Sequence, residues 1–349
     1  MSGENQLPPA DQVSVPAEVK TAAELGKLAF FVGNGISRLY GMPSWDELCS
    51  RMLQALAGSN VIDHNKVALL SRQSLKARIS IADHYFKVFG ESGSTDLTYK
   101  NMLHKGLDSS YQNKVSAYSS LAKCGVKFVT TNYDNLLSEA LEGAAKVAEA
   151  VGNSNVAAQK TEAEKVDKTP PVTAVRVFGD PYKFDRVQSL SNNVVFHLHG
   201  SLNDEKTIVA STTGYLKLYS DPNIQSFLKW FFDNHVVVFL GYGLEELELL
   251  DLIIRSGAKE QGGEKKHSFF LLLPLLSHEA EIIDQLKIYY TQLGLEILPF
   301  SRNQKDYTAY ADLLELWSGE LAQKAKAPTR VDSLDLLDSL MLEFEGGGK

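Results

Sequence analysis

The stretch Lys27 to Ser37, KLAFFVGNGIS, decides the fold. An apolar, aromatic run ends abruptly at Gly33-Asn34-Gly35, as a buried strand running into a tight turn does. Runs of the same kind recur at Val126–Thr131, Val194–His199, His235–Gly241, Ser268–Pro274 and Leu295–Phe300. Between most of them lie segments of helical spacing: Asn135 to Ala148, Leu244 to Ser256 and His278 to Leu293. Strands alternating with helices predict parallel β-α-β units. Strands that are apolar throughout predict a sheet covered on both faces. The expected class is α/β, with a doubly wound, mostly parallel sheet.

Outward from that core the pattern changes. Residues 1–20 read as a flexible polar arm, because Pro8, Pro9 and Pro16 sit among Ser, Gly and Asn without periodicity. The main domain is expected over 21–322, with 46–122 as a helical insertion of about four segments and no strong strand. Residues 143–192 mix an Ala/Lys/Glu-rich piece, helix or linker, with Pro170-Pro171 and a hairpin near Val172–Val177. The tail 323–349 reads as a linker and an amphipathic helix. There Ser333 is a candidate cap, and Leu337, Leu340, Met341 and Phe344 fall at i, i+3, i+4 and i+7. Such a helix either docks on its own domain or carries a partner.

The 349 residues hold 35 Lys+Arg against 43 Asp+Glu, a net charge of −8. That balance argues against a broad nucleic-acid footprint. Two cysteines, Cys49 and Cys124, cannot build a disulfide framework or a four-thiolate zinc site. The first residues lack a basic start followed by an apolar run. No apolar run approaches the roughly 18 residues of a membrane span. A cytoplasmic protein without membrane attachment is expected.

In open α/β sheets ligands bind beyond the carboxyl ends of the strands, and four strand ends here carry unusual residues. Gly33-Asn34-Gly35-Ile36-Ser37 permits a sharp turn and a close approach to phosphate, or is a plain tight turn. Thr131-Asn132-Tyr133-Asp134 offers helix caps, or an amide and a carboxylate that orient a water beside a nucleotide. In His197-Leu198-His199-Gly200, period-2 alternation places both rings on one side of the strand. His199 suits a general base and His197 a structural role. Gly241-Tyr242-Gly243 again permits close backbone approach, whether to a ligand or within a turn.

Together, GNGIS with GMPSW, then TTNYD, HLHGS and FLGYG resemble the sirtuin-like family, in its zinc-free bacterial branch, over roughly residues 24–320. The resemblance implies a Rossmann-like sheet and NAD as ligand and substrate. It makes Gly33, Asn34, Gly35, Ile36 and Ser37 a pyrophosphate loop. Asn132 and Asp134, beside Thr131, would hold the nicotinamide ribose, a water and the carboxamide. His199 matches the catalytic histidine, and Gly241, Tyr242 and Gly243 the turn under ribose and phosphates. The paired CxxC ribbon of sirtuin deacylases is missing, and Pro43-Ser44-Trp45-Asp46 replaces their Asp-Phe-Arg element, which argues against deacylation.

Zinc-free members imply an NAD-hydrolysing effector of antiphage defence. Such an enzyme must be silent at rest. A homo-oligomer, or a sensor in another protein such as a HerA-type ATPase or a short Argonaute, is therefore expected. An NAD or ADP-ribose binding module that cleaves nothing, or an ADP-ribosyl transferase, are the competing readings.

Overall fold

The computed structural model describes residues 7–90, 97–104, 116–157, 175–244, 247–257, 260–261, 264–265 and 268–322. Seven strands form one sheet: β1 (Leu28–Val32), β2 (Lys127–Thr130), β3 (Arg176–Phe178), β4 (Val194–His197), β5 (Val236–Leu240), β6 (Phe269–Leu275) and β7 (Leu295–Ser301). Their order is β3-β4-β2-β1-β5-β6-β7, and every neighbouring pair is parallel. The sheet is α/β and Rossmann-like. Of the hairpin expected near Val172–Val177, residues 172–174 lie outside the described residues, and β3 pairs parallel with β4.

The helices are α1 (Ala17–Glu24), α2 (Asn34–Ser37), α3 (Trp45–Gly58), α4 (His64–Leu70), α5 (Leu75–Gly90), α6 (Tyr99–His104) and α7 (Ala117–Lys123). They continue as α8 (Leu136–Ala157), α9 (Thr212–Ser220), α10 (Pro222–Asn234), α11 (Leu247–Gly257), α12 (Ile283–Gln292) and α13 (Ala309–Leu321). The continuous apolar strands have partners on both sides. Leu28, Phe30 and Val32 of β1 enter a core with α1, α7, α8 and α13. Ala29 and Phe31 enter the opposite core, where α10 contributes Phe227, Leu228 and Phe231. Strand alternation thus splits one apolar run between two layers.

A third core belongs to the insertion. Leu48, Met52 and Leu56 of α3 pack with Ile79, Ala82 and Phe86 of α5 and with Met102 and Leu103 of α6. A capping box starts α3, where Ser44 Oγ accepts from Glu47 N at 3.2 Å and Ser44 N donates to Glu47 Oε2 at 2.6 Å. The insertion is narrower than 46–122. Ala117, Tyr118 and Leu121 of α7 pack on the sheet, so α7 is the crossover helix leading into β2.

The amino-terminal arm is not a flexible arm from residue 7 onward. Pro9 bridges to Ser301 at the edge strand β7, and Val13, Val15 and Val19 are buried. Val13 O accepts from the Trp317 indole at 2.8 Å. Prolines are tolerated at a sheet edge because no ladder donor is needed there. The linker and helix expected over 323–349 lie outside the described residues.

Candidate active site

From β1 the chain runs to β2, then out to the edge strand β3 and back to β4 between the two, before it crosses to β5 on the other side of β1. The segments leaving β1 and β5 pack on opposite faces, Ile36 in one core and Leu249 in the other. That divergence opens a crevice at the carboxyl ends of the two strands. A cleft of about 580 Å³ lies there, between the sheet edge and the insertion. This is a size suited to a small-molecule ligand. Asn34, Thr131, Asn132, Asp134, His199, Gly241, Tyr242 and Gly243 line it, while Gly33, Gly35, Ile36 and Ser37 do not. Lys76 of α5 is the one lysine or arginine among its described lining residues.

The glycines serve each other before any ligand. Gly33 N donates to Leu240 O and Gly35 N to Gly241 O, both at 2.8 Å. A Cβ on Gly33 would stand 2.5 Å from Gly241 O, and one on Gly35 2.8 Å from Gly241 Cα. A Cβ on Gly241, itself at φ +58°, would meet Ile36 N at 2.7 Å. Glycine is required at Gly33, Gly35 and Gly241 because two loops pack backbone to backbone. Ile36 is a fully buried core side chain. Asn34 reaches across the cleft mouth, its Nδ2 donating to Pro43 O at 3.0 Å. The Tyr242 ring packs 5.0 Å from Phe31.

Ser37 is also removed from the cleft. Its hydroxyl donates to Asp134 Oδ2 at 2.7 Å, sits 2.7 Å from Tyr118 OH and accepts from Asn132 Nδ2 at 2.8 Å. Asn132 Nδ2 also reaches Gly33 O at 3.1 Å and Tyr118 OH at 3.3 Å. Its backbone is held too, by Thr130 Oγ1, which accepts from Asn132 N at 3.0 Å. Asp134 Oδ1 accepts from Leu136 N at 3.2 Å, so this carboxylate caps α8 as well as anchoring the cluster. Burial raises the Asp134 carboxyl above its ordinary range, against the Ser37 hydrogen bond. Burial, reinforced by the Asp134 charge, holds the Tyr118 phenol well above its ordinary value.

One atom of this cluster is left over. Asn132 Oδ1 is buried and has no hydrogen-bond partner among the described residues. A buried amide oxygen without a donor costs about 1–3 kcal/mol. Because Asn132 lines the cleft, a ligand hydroxyl or a water can supply that donor.

The two histidines part company. Strand β4 ends at His197, so the alternation that would keep both rings on one side stops there. His197 turns toward α8. Its Nδ1 lies 2.9 Å from Asn132 O and its Nε2 3.5 Å from Ser138 Oγ. Since a carbonyl only accepts, Nδ1 carries the proton. Burial pushes this imidazole down to about 4, keeping it neutral. His199 turns to the other layer. Its Nε2 is 3.0 Å from Tyr219 OH, and the Tyr215 ring meets it edge-on at 4.8 Å. Gly200, at φ +85°, makes this turn, and a Cβ there would stand 2.2 Å from Thr207 O.

Tyr118, Tyr215 and Tyr219 carry no local signal. They sit in ordinary helical segments, and only contacts from distant strand ends give them a role. Tyr133 is similar. Its ring packs with Trp45 and Tyr99, and its hydroxyl donates to Val209 O at 2.8 Å, tying the insertion to the sheet edge. Cys49 and Cys124 lie in different cores, and burial pushes their thiols up to about 11 and about 12. Among the described residues there is no group of three or more His, Cys, Asp or Glu placed to hold a metal. No described helix is long and apolar enough to cross a membrane.

Residues 126–293 match the SIR2-like domain family, so this part of the chain is similar to a sirtuin-like domain. That match contains TTNYD, HLHGS and FLGYG and stops short of the GNGIS loop. The chain is 24% identical over 305 residues to Defense-associated sirtuin 2 of Bacillus subtilis, covering 85% of this chain. It spans about a quarter of that relative's length, 26%.

Proposed function

We propose that the protein cleaves NAD at the nicotinamide–ribose bond, releasing nicotinamide and ADP-ribose, and that it serves antiphage defence by depleting the cofactor. The observation that supports this most directly is the pairing, in one cleft, of a buried acceptor without a partner and an imidazole. These are Asn132 Oδ1 and His199. A dinucleotide fits the cleft in size, and its ribose hydroxyls or an attacking water supply the donor that Asn132 lacks.

The chemistry needs little more. As the bond from the ribose C1′ to the nicotinamide nitrogen breaks, the electron pair leaves with nicotinamide and positive charge develops on the ribose. Water held by Asn132 Oδ1 attacks C1′, and His199 takes the proton that this water loses. Tyr219 and Tyr215 fix the plane of the imidazole. The Asp134 carboxylate lines the same cleft and can stabilise the developing cation electrostatically.

The name of the Bacillus subtilis relative supports the defence role, and control by assembly or by a protein partner is part of the proposal. The test follows nicotinamide and ADP-ribose by chromatography after incubating the protein with NAD, alone and with its genomic neighbour. His199→Ala and Asn132→Ala stand beside wild type. Both products from wild type, with a loss of about 100-fold or more in each variant, are expected. NAD that binds yet stays whole under every condition would replace this function with a binding module.

A further inference from the structure

We propose that Tyr118, which does not line the cleft, is a positioning residue that holds the Asn132 amide with its oxygen toward the ligand. Asn132 Nδ2 carries two hydrogens and faces three acceptors: Gly33 O at 3.1 Å, Ser37 Oγ at 2.8 Å and Tyr118 OH at 3.3 Å. The opposite orientation would set Oδ1 against the Gly33 carbonyl, oxygen against oxygen.

The direction of the remaining bonds follows from the carboxylate. Asp134 Oδ2 accepts from the Ser37 hydroxyl, which commits the single Ser37 hydrogen. Ser37 Oγ then has lone pairs alone for its other neighbours. The Tyr118 hydroxyl, 2.7 Å away, must therefore donate to it. The chain of donors runs from Tyr118 to Ser37 to Asp134, and each member polarises the next. With its own hydrogen committed, the Tyr118 oxygen presents only lone pairs to Asn132 Nδ2. The Asp134 carboxyl thereby sets the orientation of an amide that it does not touch.

Tyr118 is itself placed by contacts that do not need its hydroxyl. Its ring stacks on Tyr40 at 4.9 Å, and its backbone N–H donates to Tyr40 OH at 2.8 Å. Tyr118→Phe keeps the stacking and removes only the proton that enters the chain.

The kinetic arm of the test rests on the NAD-cleaving function proposed above, and the spectroscopic arm does not. In Tyr118→Phe, kcat for NAD cleavage falls by about 10- to 100-fold while KM stays within about twofold of wild type. Tyr99→Phe, which loses a buried hydroxyl that donates to Asp83 Oδ1 at 2.7 Å in the insertion core, keeps kcat within about twofold. In ¹⁵N-labelled protein, the side-chain amide pair that disappears in Asn132→Ala exchanges with water about tenfold faster in Tyr118→Phe than in wild type. Wild-type kcat in Tyr118→Phe, or an equal fall in Tyr99→Phe, overturns the proposal. Should Tyr118→Phe fail to fold, Ser37→Ala interrupts the same chain and carries both arms. Should wild type leave NAD whole, the amide exchange decides alone, and unchanged exchange overturns the proposal.

Discussion

Gly33 and Gly241 show how little a glycine announces about its purpose. The missing Cβ is legible in the sequence, but whether a ligand or another loop occupies the freed space is not. Here the occupant is the opposite backbone, 2.5 Å from where a Gly33 Cβ would stand. Gly33→Ala and Gly241→Ala should each cost about 3 kcal/mol or more, because backbone rather than a side-chain tip must shift. Gly143, on the exposed face of α8 with nothing within 4 Å, is the control. Gly143→Ala should gain about 0.5–1 kcal/mol in the same urea titrations. Loss of stability at Gly143, or none at Gly33, would contradict the packing described. Two other residues set an acid limit. Burial lowers His197 from 6.5 to about 4 and His235 to about 3. Both rings fold neutral, while the unfolded chain protonates them below about pH 6.5. Stability is therefore whole above that pH and declines as pH falls from 6.5 toward 4, on the order of 1.4 kcal/mol per unit for each ring. Equal urea midpoints at about pH 7.5 and about pH 5 would refute this.

At the level of elements, Tyr133 joins the insertion to the sheet. It stands between Asn132 and Asp134, yet its ring belongs to the insertion core. Tyr133→Ala should cost about 3–5 kcal/mol by leaving a cavity. Hydrogen exchange should rise first in α3 to α6, while β1 and β5 stay protected. Uniform exchange across the chain would show that the insertion has no cooperative unit of its own. Asn132 and His199 were legible because polar side chains closing apolar strands stand out against their surroundings. Their orientations were not. His197 and His199 were expected on one side, but the strand stops at His197 and Gly200 turns the chain. Period-2 reasoning holds only while the backbone remains extended. At Ser37 the neighbours in sequence point to a phosphate loop, while the neighbours in space are Tyr118, Asn132 and Asp134.

Across the whole molecule, the two ends of the described chain meet. Val13 and Trp317 are joined by one hydrogen bond at 2.8 Å, and Pro9 lies beside Ser301. Trp317→Phe should cost about 1 kcal/mol through that bond. Deleting residues 1–16 should cost several times more, because burying a valine is worth about 1.5–3 kcal/mol and Val13 and Val15 both go. Urea midpoints measure both, and a deletion no worse than Trp317→Phe would mean that the segment contributes no packing. Strand positions, the parallel class and the residue types at the strand ends were written locally. Each is set by runs of apolar side chains and by what interrupts them, within a few residues. Order across the sheet, the pairing of the glycine loops, the packed course of residues 7–20 and the wiring from Tyr118 to Asn132 were decided only by tertiary structure. These depend on contacts between residues tens to hundreds of positions apart, such as Ser37 with Asp134 and Val13 with Trp317. A local pattern specifies which face of an element is apolar, and the packed chain alone specifies what that face meets.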